Sequence, residues 1–221
     1  MISSGQIQNS ITFYEVLYLP FIDNDVYMLK KLLEIDRYFF LKINRDCSNS
    51  FFDTVMPFLR EAKFWAPLYL FIFLFIIFNF KNKAIWWSIG AIVTVALTDS
   101  ISSKIIKPFF ARPRPCMDAD FSTQVKLVAS YCGGNGSFTS SHATNHFGLA
   151  MFFFITMQQL APKFVKYFFL WAALVCFAQV YVGVHYPSDV IGGALLGILI
   201  GSFVGNFYNS KNGLLQHSIK L

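Results

Sequence analysis

Long hydrophobic runs, interrupted by few charged residues, make up most of this 221-residue chain. The first two runs, residues 64–80 and 84–103, match the roughly 20 residues that a bilayer core requires. Three more follow at about 141–160, 164–182 and 187–208. The pattern predicts an all-α integral membrane protein, built as a bundle of about five transmembrane helices.

The segment before these runs has a different pattern. Residues 1–27 show no sustained periodicity, whereas along residues 28–44 apolar and charged positions alternate. The charges exclude a transmembrane helix, and an amphipathic helix lying at the membrane interface fits the pattern. We therefore predict an N-terminal interfacial segment over residues 1–63, a transmembrane domain over 64–208 and a C-terminal tail over 209–221.

The composition strengthens this prediction. Of all residues, 55% are hydrophobic and only 14% are charged, whereas soluble domains carry about 25% charged residues. The formal net charge is +6, and in a membrane protein such basic residues anchor helix ends and meet anionic head groups. No RNA- or DNA-binding motif accompanies the charge, so we expect the membrane, and no nucleic acid, as a partner.

A long polar loop, residues 108–139, separates the second and third runs and is rich in proline and glycine. Loops of this length are usually functional. With five spans, it shares a membrane side with the loop between the fourth and fifth runs. Basic residues lie on both sides, so the positive-inside rule alone does not orient the protein. Cys116 and Cys132 lie in the loop and can pair if it faces an oxidising compartment.

Four glycines recur at every fourth position of the fifth run: Gly193, Gly197, Gly201 and Gly205. Such a small-residue face lets helices pack closely. Asp189 continues the same spacing, so we expect it to point into the bundle and not toward lipid. Aspartate is also favoured as a helix N-cap, and the two roles are compatible.

Polar clusters on the loop side carry candidate chemistry. Lys107 and Arg114 are fixed positive groups, and a guanidinium can grip two phosphate oxygens at once. Ser140 and Ser141 open the third run, where hydroxyls and backbone N–H groups at a helix start form an anion cradle. Together these groups predict a phosphate-binding site.

Two histidines can flank a group bound there. His142 follows the serines, and His185 precedes the fifth run. Asp189 can hold one ring nitrogen of His185 and leave the other free to attack. The set suits phosphoryl transfer, in which one histidine attacks phosphorus and the other protonates the leaving oxygen, and it requires no metal or other cofactor. His142 and His146 also share a metal-ligand spacing, but no third ligand is obvious.

These clusters resemble the motifs of the type 2 phosphatidic acid phosphatase family, whose site is shared with vanadium haloperoxidases. The family pattern is Lys, six residues, Arg-Pro; then Pro-Ser-Gly-His; then Ser-Arg, five residues, His, three residues, Asp. In that order this sequence has Lys107 to Arg114-Pro115, Thr139-Ser140-Ser141-His142, and Ala178-Gln179 to His185 and Asp189. The likeness covers about residues 50–208.

The resemblance implies a role for each matched residue. His185 would form a phosphohistidine, Asp189 would orient it, and His142 would be the general acid. The phosphate would be bound by Lys107, Arg114, Ser140 and the backbone N–H groups near Ser141. Enzymes of this family need no metal.

One departure from the family pattern concerns the phosphate site. Gln179 stands where the family has arginine, and losing one such contact can cost on the order of 100-fold in rate. The glutamine amide can still donate hydrogen bonds to the phosphate. Our hypothesis is that Arg112 supplies the missing charge. Asp99, which shares a helix face with Lys107, is expected to anchor that lysine.

We therefore predict a membrane enzyme that hydrolyses a phosphate ester or anhydride on a lipid phosphate substrate. Small five-span members of the family resemble bacterial undecaprenyl diphosphate phosphatases and lipid A phosphatases, so undecaprenyl diphosphate or a related envelope lipid is the favoured substrate. The alternatives are a lipid A or phosphatidylglycerol phosphate phosphatase or phosphotransferase, and an inactive lipid-binding member. The expected location is the bacterial inner membrane, with the active site facing the periplasm.

Overall fold

The computed structural model describes residues 13–134 and 136–214. Within these ranges no strand occurs, so the predicted all-α fold is confirmed. The helices are α1 (Phe13–Leu41), α2 (Ser50–Leu59), α3 (Ala66–Phe80), α4 (Asn82–Ser100), α5 (Lys107–Phe110), α6 (Ser141–Met157), α7 (Tyr167–Tyr181) and α8 (Pro187–Asn212). The chain divides into two compact units, Met1–Tyr38 and Phe39–Leu221.

The first unit contains most of α1. The predicted helix over residues 28–44 is present, and a π-helical turn, Lys42–Asp46, continues it. The helix begins at Phe13, well before the charge pattern of the sequence predicts a start. Its position at the membrane interface stays a prediction. Residues 1–12 of the predicted N-terminal segment and residues 215–221 of the predicted tail lie outside the described residues.

Helix α2 has no counterpart in the sequence-based prediction. Asn49 caps it by accepting a hydrogen bond from the backbone N–H of Phe52 at 2.9 Å. The helix packs against α7. Residues 39–63, which the sequence pattern groups with the N-terminal segment, therefore lie in the second compact unit.

Three segments of the described residues are long and apolar enough to cross a bilayer: Ala62–Phe80, Asn82–Met117 and Pro187–Asn212. They contain α3, α4 and α8, so the first, second and fifth predicted spans are confirmed by length and composition. The second runs beyond its predicted end because Pro108 lies in the first turn of α5, where a missing N–H is tolerated. Within this segment, α5 ends at Phe110, and its C-cap residue Ala111 has a left-handed φ of 46°.

The third and fourth predicted spans are helices, but they are shorter than predicted. α6 has 17 residues and α7 has 15, which at about 1.5 Å per residue is less than the roughly 30 Å of a bilayer core. Turns over residues 158–166 replace part of both apolar runs. In the described part of the chain, three helices are therefore of spanning length, and the crossing of the bilayer by the shorter helices α6 and α7 stays a prediction.

The glycine face of α8 packs directly on α6. An added Cβ would lie 2.7 Å from the oxygen of Ser140 at Gly193, 2.3 Å from that of Thr144 at Gly197, and 2.2 Å from that of Gly148 at Gly201. Only glycine allows so close a backbone approach, so the predicted packing face is confirmed. At its end, the backbone N–H of Ser140 donates to the backbone oxygen of Asp189 at 3.0 Å, which joins the starts of α6 and α8.

Candidate active site

The three predicted polar clusters meet at one end of the second unit. The turn between α7 and α8 brings His185 there, and Gly183 makes this turn possible because its φ of 91° is a left-handed conformation that glycine adopts freely. Arg114 reaches His185 from the polar loop, and Ser140 bonds to Asp189. Residues that are far apart in the sequence thus surround one imidazole.

Asp189 lies on the Nδ1 side of His185. Its Oδ2 is 3.4 Å from Nδ1 of the imidazole, and it also accepts the backbone N–H of Tyr186 at 2.8 Å. The second contact belongs to the cap of α8. Asp189 is fully buried. The same oxygen, Oδ2 of Asp189, therefore caps the helix and orients the imidazole, the two roles that the sequence-based prediction treats as compatible.

The other ring nitrogen of His185 faces a cation. Nη1 of Arg114 lies 3.4 Å from Nε2 of His185 and 3.4 Å from the backbone oxygen of Val184. An arginine only donates, so this contact assigns the lone pair to Nε2 and the proton to Nδ1, where Asp189 accepts it. The arrangement leaves Nε2 as the nucleophilic nitrogen.

The imidazole is uncharged at neutral pH. His185 is 2% exposed, and burial lowers its pKa to about 4, against the opposing effect of Asp189. The charges of Arg114 and Lys107 add to the lowering of the His185 pKa. An uncharged imidazole has the free electron pair that a nucleophile needs.

Lys107 and Arg114 border a cavity of about 520 Å³. The Nζ of Lys107 donates to the backbone oxygen of Gly136 at 2.8 Å, which fixes the ammonium group although the side chain is nearly buried. Gly136 and Gly134 line the same cavity, together with Arg112. The cavity has room for a phosphate group and the positive charge to bind it.

The start of α6 closes another side of the site. The hydroxyl of Ser140 caps the helix by accepting the N–H of Ala143 at 3.4 Å. The hydroxyl of Ser141 lies 3.0 Å from that of Ser102 and 2.9 Å from that of Ser103. These bonds tie α6 to a π-helical turn, Ile101–Ile106, which follows α4. The first backbone N–H groups of α6 have no partner within the helix and are suited to an anion.

His142 lies in the first turn of α6, within electrostatic range of His185 and Arg114. Its backbone oxygen is 2.7 Å from Nδ1 of His146, whose Nε2 lies 3.4 Å from the hydroxyl of Tyr69. Within residues 13–134 and 136–214, no third histidine, cysteine or acidic residue joins this pair as a metal-binding group.

Arg112 has a partner that the sequence does not predict. Its Nη1 lies 2.7 Å from Oδ1 of Asp189 and 2.7 Å from the hydroxyl of Ser188, and its guanidinium lies 4.1 Å from the ring centroid of Tyr186. The residue thus contacts the carboxylate that orients His185. A phosphate contact by Arg112 stays a prediction.

Gln179 is completely buried in α7, and neither its Nε2 nor its Oε1 has a hydrogen-bond partner among the described residues. Its backbone oxygen accepts the N–H of Val184 at 3.3 Å, which connects it to the turn that carries His185. Buried amides are normally hydrogen-bonded. An amide without a partner beside this turn is suited to a bound ligand.

Two features of the site, Ser137 and Arg60, have no counterpart in the sequence-based prediction, and the predicted bond between Asp99 and Lys107 is wrong. Ser137 hydrogen-bonds Oδ2 of Asp189 and lies 3.4 Å from Nδ1 of His185. Arg60, at the end of α2, is buried. Asp99 does not bond Lys107 but accepts from Ser103 at 3.4 Å, because the ammonium of Lys107 is directed at backbone oxygens. The sequence feature that could have identified Arg60 is a basic residue at the end of the mostly apolar stretch 51–59.

A disulfide joins Cys116 to Cys132, with a Cα–Cα distance of 6.2 Å. It ties the segment after Arg114 to the segment before Gly133. A Cβ added at Gly133 would lie 3.2 Å from the Arg114 guanidinium. The disulfide therefore stabilises the loop that presents Arg114.

A second cavity, of about 670 Å³, lies between α3, α4 and α6. Most of its lining is apolar, and the polar exceptions include Asp99, Asn145, His146, Ser88 and Ser100. The amide of Asn145 lies 3.5 Å from Oδ1 of Asp99, which also accepts from Ser103. Because Ser103 lines the cavity beside Lys107 and Arg114, the two cavities meet at the Asp99–Ser103 pair.

Comparison with known proteins gives a consistent result. The sequence profile of the PAP2 superfamily matches residues 87–212. The chain is 35% identical to the lipid A 4'-phosphatase of Porphyromonas gingivalis over 81% of this chain and 75% of that protein. It is 29% identical to the lipid A 4'-phosphatase of Bacteroides thetaiotaomicron, over 77% of this chain and 75% of that protein. The crystal structure of Aquifex aeolicus LpxE superimposes with a TM-score of 0.53 and 26% identity, over 76% of this chain and 92% of that one.

Proposed function

This chain belongs to the PAP2 superfamily and is a membrane lipid phosphatase, and from that premise we propose that His185 attacks the phosphorus of its substrate. The observation that carries the proposal is the setting of one buried, uncharged imidazole. Its Nδ1 is 3.4 Å from Asp189, and its Nε2 is 3.4 Å from Arg114. A nucleophilic nitrogen beside a phosphate-binding cation is suited to in-line displacement.

In the first step, Nε2 of His185 forms a bond to phosphorus while the bond from phosphorus to the lipid oxygen breaks. The electron pair of that bond stays on the lipid oxygen, and the protonated imidazole of His142 donates a proton to it. The negative charge of the bound phosphate stabilises the protonated form of His142 before this transfer. Asp189 stabilises the positive charge that develops on the imidazole, as an orienting carboxylate does in catalytic triads. The lipid alcohol then leaves, and the phosphoryl group remains on His185.

In the second step, water replaces the lipid alcohol. His142, now uncharged, accepts a proton from the water, whose oxygen attacks phosphorus. The phosphorus–nitrogen bond breaks, its electron pair returns to Nε2, and inorganic phosphate is released. Throughout, we propose that the phosphoryl oxygens are held by Lys107, Arg114, Ser140, the backbone N–H of Ser141 and the amide of Gln179.

For the lipid, we propose a phosphorylated sugar lipid of the lipid A type. Two relatives with this printed activity support it, at 35% and 29% identity. The apolar cavity between α3, α4 and α6 suits a hydrocarbon chain, and Asp99 and Asn145 in its wall suit the hydroxyl and amide donors of a sugar. This proposal replaces undecaprenyl diphosphate, the substrate that the sequence favoured, since a prenyl chain carries no such donors.

We further propose that the site faces the periplasm from the inner membrane. The support is the disulfide between Cys116 and Cys132 in the active-site loop, because disulfides persist in the oxidising periplasm and are rare in the cytosol. A phosphate on an envelope lipid is accessible from that side.

The test is phosphate release by the purified protein in detergent, from lipid A, undecaprenyl diphosphate and phosphatidylglycerol phosphate. Wild-type protein should release phosphate from lipid A, and His185→Ala should release none. Brief mixing with radiolabelled lipid should leave an acid-labile, base-stable label on the wild type, as expected of phosphohistidine. Release from undecaprenyl diphosphate alone would contradict the proposed substrate, and activity in His185→Ala would contradict the nucleophile.

A further inference from the structure

Arg60 is a buried arginine whose ion pair with the neighbouring Glu61 is long. Its side chain is 6% exposed, and its Nε lies 3.8 Å from Oε1 of Glu61, a half-exposed neighbour. That distance is too long for a hydrogen bond, and the Nε has no other hydrogen-bond partner among the described residues. A buried charge is normally paired or bound to a ligand.

The position of Arg60 relates it to the phosphate site. Its guanidinium lies 5.9 Å from the ring centroid of Tyr131, next to the disulfide-bonded Cys132. The guanidinium of Arg114 packs against the following residue, Gly133. The charge of Arg60 also lies within electrostatic range of Arg114 and His142.

Three positively charged side chains lie near one another around the phosphate site. Arg60 and Arg114 are two guanidinium groups within electrostatic range of each other, and the charge of Arg114 acts on Lys107. Like charges in a poorly solvated site repel each other, and an anion between them removes that repulsion. The acidic group at the centre of the site, Asp189, is already engaged by Arg112 and His185.

We propose that Arg60 is a phosphate-binding residue of this enzyme, and that it supplies the positive charge absent at Gln179. It comes from α2, outside the residues 87–212 that match the superfamily profile. The guanidinium of Arg60, at the end of α2, would approach the phosphate from a different helix than the family's arginine, which occupies the position of Gln179 in α7. The proposal rests on the function proposed above, since it assumes a phosphoryl group beside His185.

The experiment compares Arg60→Ala and Arg60→Lys with Arg45→Ala, a control that removes an exposed arginine. It measures kcat/KM for lipid A, the inhibition constant of orthovanadate and the melting temperature. For Arg60→Ala, we expect about a 100-fold lower kcat/KM and at least a tenfold weaker orthovanadate inhibition. The lysine variant should fall between alanine and wild type, and Arg45→Ala should match wild type.

A second variant tests whether Arg60 replaces the missing arginine. Adding Gln179→Arg to Arg60→Ala should raise kcat/KM at least tenfold above that of Arg60→Ala. An unchanged kcat/KM would overturn the claim that Arg60 replaces the missing arginine. A purely structural Arg60 would lower the melting temperature and leave the orthovanadate constant unchanged, which would overturn the proposal. If the wild type releases phosphate from no lipid, the proposed function fails. The role of Arg60 is then tested by calorimetry, which compares the dissociation constants of orthovanadate for the wild type and Arg60→Ala.

Discussion

The carboxylate of Asp189 joins Arg112 to His185. Nη1 of Arg112 lies 2.7 Å from Oδ1, and Nδ1 of His185 lies 3.4 Å from Oδ2. Stacking on the ring of Tyr186, at 4.1 Å, holds the guanidinium in place. We infer that Arg112 acts through Asp189 and is a positioning residue for the imidazole.

Replacing Arg112 by alanine should therefore reduce kcat more than it changes KM. A hydrogen bond to a charged group contributes about 1.5–3 kcal/mol, so we expect a roughly 10- to 100-fold lower kcat with lipid A. Steady-state kinetics of Arg112→Ala, with Arg45→Ala as control, measures the effect. A higher KM with unchanged kcat would instead support the phosphate contact that the sequence predicts.

The proton affinity of His185 should lie far below that of an ordinary histidine. Because burial lowers its pKa to about 4, the imidazole should stay uncharged down to about pH 4, where the nucleophile is lost. Nitrogen-15 NMR of histidine-labelled protein in detergent, with His185→Gln to assign the signal, measures the midpoint. A midpoint near 6.5, the ordinary histidine value, would contradict the buried, uncharged state.

The same pKa predicts how stability depends on pH. Between about pH 6.5 and pH 4, the unfolded chain binds a proton at His185 and the folded chain does not, so the free energy of unfolding falls as the pH drops. The loss from this group is on the order of 3 kcal/mol. Melting curves across this range should show less pH dependence for His185→Gln, and equal slopes would argue against the linkage.

The contact between α6 and α8 should tolerate no side chain at its centre. A Cβ at Gly197 or Gly201 would lie 2.3 or 2.2 Å from a backbone oxygen of α6. Gly201→Ala should separate the helices, lower the melting temperature and reduce activity, because Ser140 and Asp189 depend on this contact. Leu199→Ala, at an exposed position of α8, is the matched control, and equal behaviour of both variants would refute the packing argument.

The disulfide should stabilise the loop that carries Arg114. Closing a loop of about 15 residues is worth roughly 3 kcal/mol in the chain-entropy model. Cys116→Ser with Cys132→Ser, or reduction of the wild type, should lower both the melting temperature and kcat/KM. Cys176→Ser, which removes a buried free thiol, serves as the comparison. If peptide mapping of protein from the membrane finds both cysteines as free thiols, the periplasmic location loses its support.

The residues of the candidate site were largely predictable from the sequence because their chemistry is local. The spacing of His185 and Asp189 places the first just before α8 and the second in its first turn. The glycine repeat predicts the face of α8 that packs on α6. Apolar runs identify helices, since the burial of a helix face depends on the order of its own residues. Helix ends depend on turns and caps, and for that reason α6 ends earlier and α7 begins later than the apolar runs predict.

What the sequence by itself determined is the helical class, the membrane setting and the matched motif residues. Only the tertiary structure decided the partners of the arginines: Arg112 contacts Asp189, and Arg60 enters the surroundings of Arg114 from a helix that no pattern marked. It also left the side-chain amide of Gln179 buried without a hydrogen-bond partner among the described residues. The physical reason is that long flexible side chains find their partners across the fold, where charge and burial act between residues that are distant in the sequence.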